Sequence, residues 1–353
     1  MKAIVLFSGG LDSLLTTRIL EKQGYTVIGL NIITPFFNGS KEAQKRADEM
    51  GIELVIRRFS DDYIRMLQDP KYGYGKAINP CIDCRIMMCK EAAKVMEEYG
   101  ADFVATGEVA GQRPNSQKIH QLKLIERESE LNGKLVRPLS AKVLAATEPE
   151  KEGKLRREEL FSFTGRFRGG LISMGKYKFD LPLIPQPSTG CLLCEKSFAP
   201  RIRDLLKYKK DPACWDIDVL LAGRQYRIDE NTKCAIGRRE ADCDQLQILS
   251  DRKDRSPSVF LVPDNYYGAA ILLINDHFSA VPNTPEDLTE EQNRLIDLAG
   301  AFCLHYTNPA KYMDIPEGPR VLVQMGDFRF ARSIHPNESL IEKFETIKET
   351  KEG

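Results

Sequence analysis

The chain has 353 residues, 51 basic and 51 acidic side chains, a formal net charge of zero and 42% hydrophobic residues. That balance excludes a disordered chain and a collagen-like repeat, and no apolar run approaches the roughly 20 residues that a membrane-spanning helix needs. At about 150 residues per domain, two or three domains are expected, each with its own core.

Residues 3–7 form a short apolar run that reads as a buried strand. It enters a glycine turn too early for a signal peptide, so a folded cytoplasmic domain is expected to begin here. A helix is expected over 12–23, with Leu14, Leu15, Ile19 and Leu20 on one side and Gly24 closing it. Residues 25–31 read as a strand, 41–50 as a helix ended by Gly51, and 53–58 as a third strand. An amphipathic helix follows over 81–99, stopping at Gly100, and then a fourth strand over 102–106 ending at Gly107. Short strands joined by helices pair in parallel, which predicts the α/β class with its ligand at the carboxyl ends of the strands.

After Pro138 the pattern changes. Pro182, Pro185 and Pro187 mark a boundary region, dividing the chain into predicted domains of 1–185 and 186–353. The second reads as a smaller mixed α/β region with strand-like pieces over 219–221, 225–228, 259–262 and 270–274. Its last helix is expected over 286–305, with Thr284 as the N-cap.

The zero net charge hides a segregation. Residues 151–178 carry eight basic against three acidic side chains, residues 201–210 five against one, and residues 283–353 eight against thirteen. A basic middle with an acidic end suits a protein that grips phosphate on one surface, although solvated helix faces would give the same count.

Ser8-Gly9-Gly10-Leu11-Asp12-Ser13 follows the first strand and opens the first helix. Backbone N–H groups and the helix dipole converge there on a volume that suits a phosphate, and two glycines allow close approach. The hydroxyls of Ser8 and Ser13 can donate to phosphate oxygens. Asp12 would repel phosphate, so a Mg2+ ion bridging the two is the natural explanation. The hexapeptide resembles the loop of the PP-loop ATP pyrophosphatases. That resemblance implies an adenine nucleotide alpha hydrolase-like fold and splitting of ATP between its α and β phosphates to adenylate an oxygen.

Nine cysteines, an odd number, argue against a disulfide framework. Asn79-Pro80-Cys81-Ile82-Asp83-Cys84 sets two thiols three apart at a helix start, and Cys191-Leu192-Leu193-Cys194 forms a second pair. By chemistry alone these pairs suit zinc, an iron–sulfur cluster or redox-active thiols. Cys89, Cys214, Cys234, Cys243 and Cys303 read as small buried hydrophobes.

The Asn79-Pro80-x-x-x-Cys84 segment resembles that of tRNA 2-thiouridylases, with Cys81 in place of their Asp. Ser188-Thr189-Gly190-Cys191 is similar to the segment with their second catalytic cysteine, and Ala105-Thr106-Gly107 to their turn, with Glu108 where they have His. The run from Gly107 to Gln117, then 137–142, then Gly190-Cys191-Leu192-Leu193, looks closer still to thiouridine synthetase-like proteins whose catalytic domain resembles 4-thiouridine synthetase, without that enzyme's N-terminal RNA-binding extension. The resemblance implies a cytoplasmic tRNA sulfurtransferase in which Ser8, Gly9, Gly10, Asp12, Ser13 and Gly107 hold ATP and Mg2+. Arg113 and Lys142 counter phosphate charge in this reading. Cys81, Cys84 and Cys191 would hold a [4Fe–4S] cluster, and Cys84 and Cys191 would be catalytic beside Asp12. Cys194 departs from that pattern and keeps zinc as the alternative. The sulfur donor would be free sulfide or a persulfide carrier.

Residues 200–333 resemble the RNA-binding domain of NFACT-type ribosome-rescue factors, which implies phosphate contacts from Arg224, Arg227, Arg238 and Arg239. Two rival readings share these residues. One is a deazaguanine synthase-like enzyme with a small-molecule substrate and structural zinc, and the other an RNA-binding protein that senses nucleotide without chemistry.

Overall fold

The computed structural model describes residues 1–187, 190–337, 341, 343, 344 and 347. Ser188 and Thr189 of the second cysteine segment lie outside them. The chain divides into two compact units, residues 1–194 and 195–353, so both cysteine pairs belong to the first.

The first unit runs β1 (Lys2–Leu6), α1 (Leu11–Lys22), β2 (Thr26–Ile33), α2 (Ser40–Met50), β3 (Glu53–Arg58), α3 (Asp61–Gln68), α4 (Cys81–Glu98), β4 (Phe103–Thr106), α5 (Ile119–Glu128), β5 (Leu135–Val136), α6 (Glu148–Lys151) and α7 (Gly169–Tyr177). Its five strands pair in parallel in the order β3-β2-β1-β4-β5. β1 is central, and Ala3, Ile4 and Val5 are fully buried, as expected for a strand covered on both faces. Leu6 lies opposite Leu30 on one side and Thr106 on the other, so the carboxyl ends of β1, β2 and β4 share one edge. Gly9 turns there with φ +73°, a conformation that a side chain would strain. Phe7, Leu11, Leu15, Phe103, Leu171 and Met174 are part of the core that seats α1 and α7.

The second unit runs α8 (Ala199–Tyr208), α9 (Cys214–Leu221), β6 (Arg224–Arg227), β7 (Lys233–Gly237), α10 (Glu240–Ser250), β8 (Ser258–Pro263), β9 (Ala270–Ile274), α11 (Glu290–His305), β10 (Arg320–Met325) and β11 (Phe328–Ser333). Its six strands form an antiparallel sheet ordered β11-β10-β8-β9-β7-β6. Leu295 and Phe302 of α11 pack with Ile236, Leu261 and Leu273 in one core, while Trp215 and Leu246 pack with Phe260 and Leu272 in another.

Two sequence expectations change. Residues 219–221 end a helix instead of forming a strand; a three-residue apolar run carries no period that separates the two states. Thr284 caps only a short 3₁₀ turn, and α11 starts at Glu290 because Thr289 accepts a hydrogen bond from the Gln292 N–H at 3.2 Å.

Candidate nucleotide and thiol site

The loop between β1 and α1 stands at the shared strand edge. Gly10 is the N-cap of α1 with extended backbone and no side-chain cap, leaving first-turn N–H groups open to an anion. Close packing holds the loop. A Cβ at Gly9 would lie 3.2 Å from the Ala43 backbone, and one at Gly107 only 2.6 Å from the Asp12 carbonyl. Ser13 Oγ donates to the Gly10 carbonyl at 2.8 Å, and Ser8 Oγ accepts from the Gly10 N–H at 3.3 Å, so both hydroxyls brace the turn.

Asp12 projects into a cavity of about 690 Å³, a volume suited to a nucleotide-sized ligand. Its Oδ2 accepts a hydrogen bond from Gln112 Nε2 at 3.2 Å, while its Oδ1 is buried without a hydrogen-bond partner among the described residues. Burial raises the carboxyl pKa; the Gln112 hydrogen bond and the charges of Arg168 and Arg113 oppose that rise. A buried, orphaned carboxylate oxygen beside a phosphate loop fits a Mg2+ ion.

The same cavity is lined by Cys81, Cys84, Cys191 and Cys194. Cys81 opens α4 and Cys84 follows one turn later, so both face one side. The second pair is stitched alongside, with the Ile78 N–H donating to the Leu193 carbonyl at 3.3 Å. A hydrogen bond with Cys194 lowers the Cys81 pKa to about 6, against burial, with further help from Asn79 Nδ2 at 3.0 Å, Arg113 and Arg85. The same hydrogen bond, burial and the charge of Cys81 push the Cys194 thiol up. Burial pushes Cys84 up, although the buried Tyr63 hydroxyl donates to it. Thiol donors suit an iron–sulfur cluster or zinc, but no group of three or more His, Cys, Asp or Glu among the described residues is arranged as a ready metal shell.

Arg85, also on the cavity wall, is held from below by Glu108, with Nε 3.2 Å from Oε1. Arg137 reaches Oε2 at 3.1 Å, and Thr106 Oγ1 donates to the same oxygen. Burial pushes the Glu108 carboxyl up, but the two arginines and these hydrogen bonds bring it below its ordinary value.

Of the residues singled out from sequence, Ser8, Gly9, Gly10, Asp12, Ser13, Cys81, Cys84, Gly107, Arg113 and Cys191 all line this cavity. Lys142 does not: its ammonium donates to the Glu158 carbonyl at 2.8 Å. Tyr63, Arg85 and Gln112 had no assigned role, and Arg168 was expected only within a basic stretch, 151–178, that could lie along the tRNA backbone. Arg85 adjoins Cys84 and Gln112 adjoins Arg113, which was a usable signal, whereas nothing local marked Tyr63. Cys89, Cys234 and Cys303 are buried, but Cys214 and Cys243 are partly exposed.

In the second unit the four arginines separate. Arg227 is paired with Asp204 through two bonds of 3.0 and 2.7 Å, and Arg239 with Asp242 at 2.9 and 3.2 Å. Arg224 and Arg238 instead stand over the Tyr306 ring, at 5.5 and 5.3 Å from its centre.

A parallel sheet, a glycine loop at its first β–α junction and a cavity at the strand ends give the first unit an α/β fold of PP-loop type. Residues 1–130 match the family model described as the tRNA methyl transferase HUP domain. The tRNA-specific 2-thiouridylase MnmA of Magnetococcus marinus is 32% identical over 139 residues, 34% of this chain and 39% of that protein. MnmA of Clostridium acetobutylicum is 32% identical over 124 residues, 30% and 35% of the two chains. The chain thus spans little more than a third of the curated relatives it matches. A solved 4-thiouridine synthetase in complex with RNA and bound ATP aligns at a TM-score of 0.35 and 21% identity, covering 62% of this chain and 52% of that one. Among the described residues no helix is long and apolar enough to cross a membrane.

Proposed function

We propose that this protein is a cytoplasmic tRNA sulfurtransferase that adenylates a uridine carbonyl oxygen with ATP and replaces that oxygen with sulfur. One observation carries the reading: a single cavity joins the phosphate loop and the unpartnered Asp12 Oδ1 to four thiols. The names of the MnmA relatives support the choice of substrate.

A uridine carbonyl is a poor electrophile with a poor leaving group. Its oxygen attacks the α-phosphorus of ATP, the α–β bridging bond breaks, and pyrophosphate leaves. The open N–H groups of the loop receive that pyrophosphate, Asp12 would hold a Mg2+ ion, which would supply charge to offset it, and Arg113 on the cavity wall adds positive charge. Sulfide then adds to the activated ring carbon and loses its proton, and AMP departs with the original oxygen. This exchange needs no net redox change.

Cys81, Cys84 and Cys191 would hold a [4Fe–4S] cluster, which when bound supplies an iron without a protein ligand for presenting sulfide. The Cys81–Cys194 hydrogen bond supports a second reading, a four-cysteine zinc site that only braces the cavity. Anaerobically purified protein will be brown under the first reading, and Cys81→Ala, Cys84→Ala or Cys191→Ala will bleach it; colourless, fully active protein with one zinc would favour the second. The nucleotide chemistry is tested separately. Asp12→Ala will bind tRNA but lose tRNA-stimulated pyrophosphate release, and unchanged release would refute the assignment of the loop.

A further inference from the structure

The positive charge of residues 151–178 is unevenly spent. Lys154, Arg156 and Arg157 each pair with a nearby glutamate, and Lys178 stands over the Phe161 ring at 4.6 Å. Lys151, Arg166, Arg168 and Lys176 form no ion pair among the described residues. Between the two arginines stands Phe167, 84% exposed. Its ring lies over the head of α7, where a Cβ at Gly169 would come within 2.4 Å of it.

This segment is tied to the rim of the ATP cavity. Thr164 bridges Ala110 in parallel, and the Gly165 N–H donates to the Ala110 carbonyl at 2.8 Å. Gln112 and Arg113, just beyond that bridge, line the cavity, and Gln112 bonds Asp12. Arg168 itself acts electrostatically on Asp12. On the other flank α7 packs on α1, with Leu11 Cδ1 3.3 Å from the Cβ position of Gly175.

A solvent-facing aromatic ring flanked by two guanidinium groups that keep no ion pair among the described residues suits an unpaired nucleotide, with the base on the ring and the adjoining phosphates on the arginines. The position supplies the reason. A base delivered to the α-phosphate must leave its stack, and its neighbour is then exposed at the mouth of the cavity. We infer that Arg166, Phe167 and Arg168 form a stacking platform that holds an unpaired nucleotide of the RNA substrate beside the ATP cavity. The inference rests on the RNA-substrate reading above.

The test uses the full chain with three probes: a tRNA transcript, a short oligouridylate and a fully paired RNA duplex. Phe167→Ala should weaken oligouridylate and tRNA binding about tenfold, barely change duplex binding and leave ATP affinity unaltered. Phe167→Tyr should retain affinity. In Phe167→Trp, oligouridylate should quench the new indole, since the native Trp215 is fully buried. Equal RNA binding by wild type and Phe167→Ala, equal losses on single strand and duplex, or a loss of ATP affinity would overturn the platform. Failure of the wild type to bind any RNA would overturn the substrate reading as well.

Discussion

Glu108 is the residue on which the cavity wall turns. Its buried carboxylate compensates Arg85 and shares Arg137 with Glu126, so removing its charge leaves Arg85 without its carboxylate partner in a low-dielectric site. Glu108→Gln should destabilise the first unit by about 3 kcal/mol in denaturant unfolding; a cost within experimental error would mean that Arg85 is neutralised elsewhere. Lys233 is the converse case. Burial lowers its pKa to about 7, only partly countered by Asp204 at 3.9 Å, and its Nζ has no hydrogen-bond partner among the described residues. From pH 7 towards about 10 the unfolded chain binds a proton that the folded chain has released. Stability from this group therefore rises with pH across that window and is lost as pH falls towards 7. Urea unfolding should show wild type gaining about 2 kcal/mol more than Lys233→Met between pH 7 and 9, and parallel curves would contradict this.

At the scale of elements, the site depends on close approach between the end of β4 and the start of α1. A Cβ at Gly107 would lie 2.6 Å from the Asp12 backbone, which cannot yield without moving the loop. Gly107→Ala should therefore weaken ATP at least tenfold by calorimetry while the second unit unfolds as before; wild-type affinity would show that the loop tolerates displacement. Much of this arrangement was legible in the chain, because the Ser8–Ser13 loop and the four parallel-strand runs are local patterns. The resemblance to thiouridine synthetase-like proteins implied that Asp12, Cys84 and Cys191 share one site, and all three line one cavity. What stayed hidden depends on tertiary contact. Tyr63 meets Cys84 from a different helix, and Gln112 reaches Asp12 across one hundred residues. Lys142 reads as a phosphate ligand by charge alone but faces a backbone carbonyl instead. The three-residue run at 219–221 was too short for its period to declare a helix.

For the molecule as a whole, zero net charge is a sum and not a description. The basic 151–178 stretch is partly neutralised in place, and Arg166 and Arg168, beside the cavity rim, are among the charges that keep no ion pair among the described residues. RNA affinity should accordingly fall steeply with salt, and Arg166→Gln with Arg168→Gln should reduce the logarithmic slope by about 1 to 2; an unchanged slope would place the RNA on another face. The central claim is sulfur insertion into tRNA by adenylation. It is tested most directly by incubating tRNA anaerobically with the protein, ATP, Mg2+ and sulfide, then digesting the tRNA and analysing its nucleosides by mass spectrometry. One new thiouridine should form, with one AMP and one pyrophosphate each, and be absent with Asp12→Ala; ATP cleavage without any sulfur-containing nucleoside would rule out the proposed reaction.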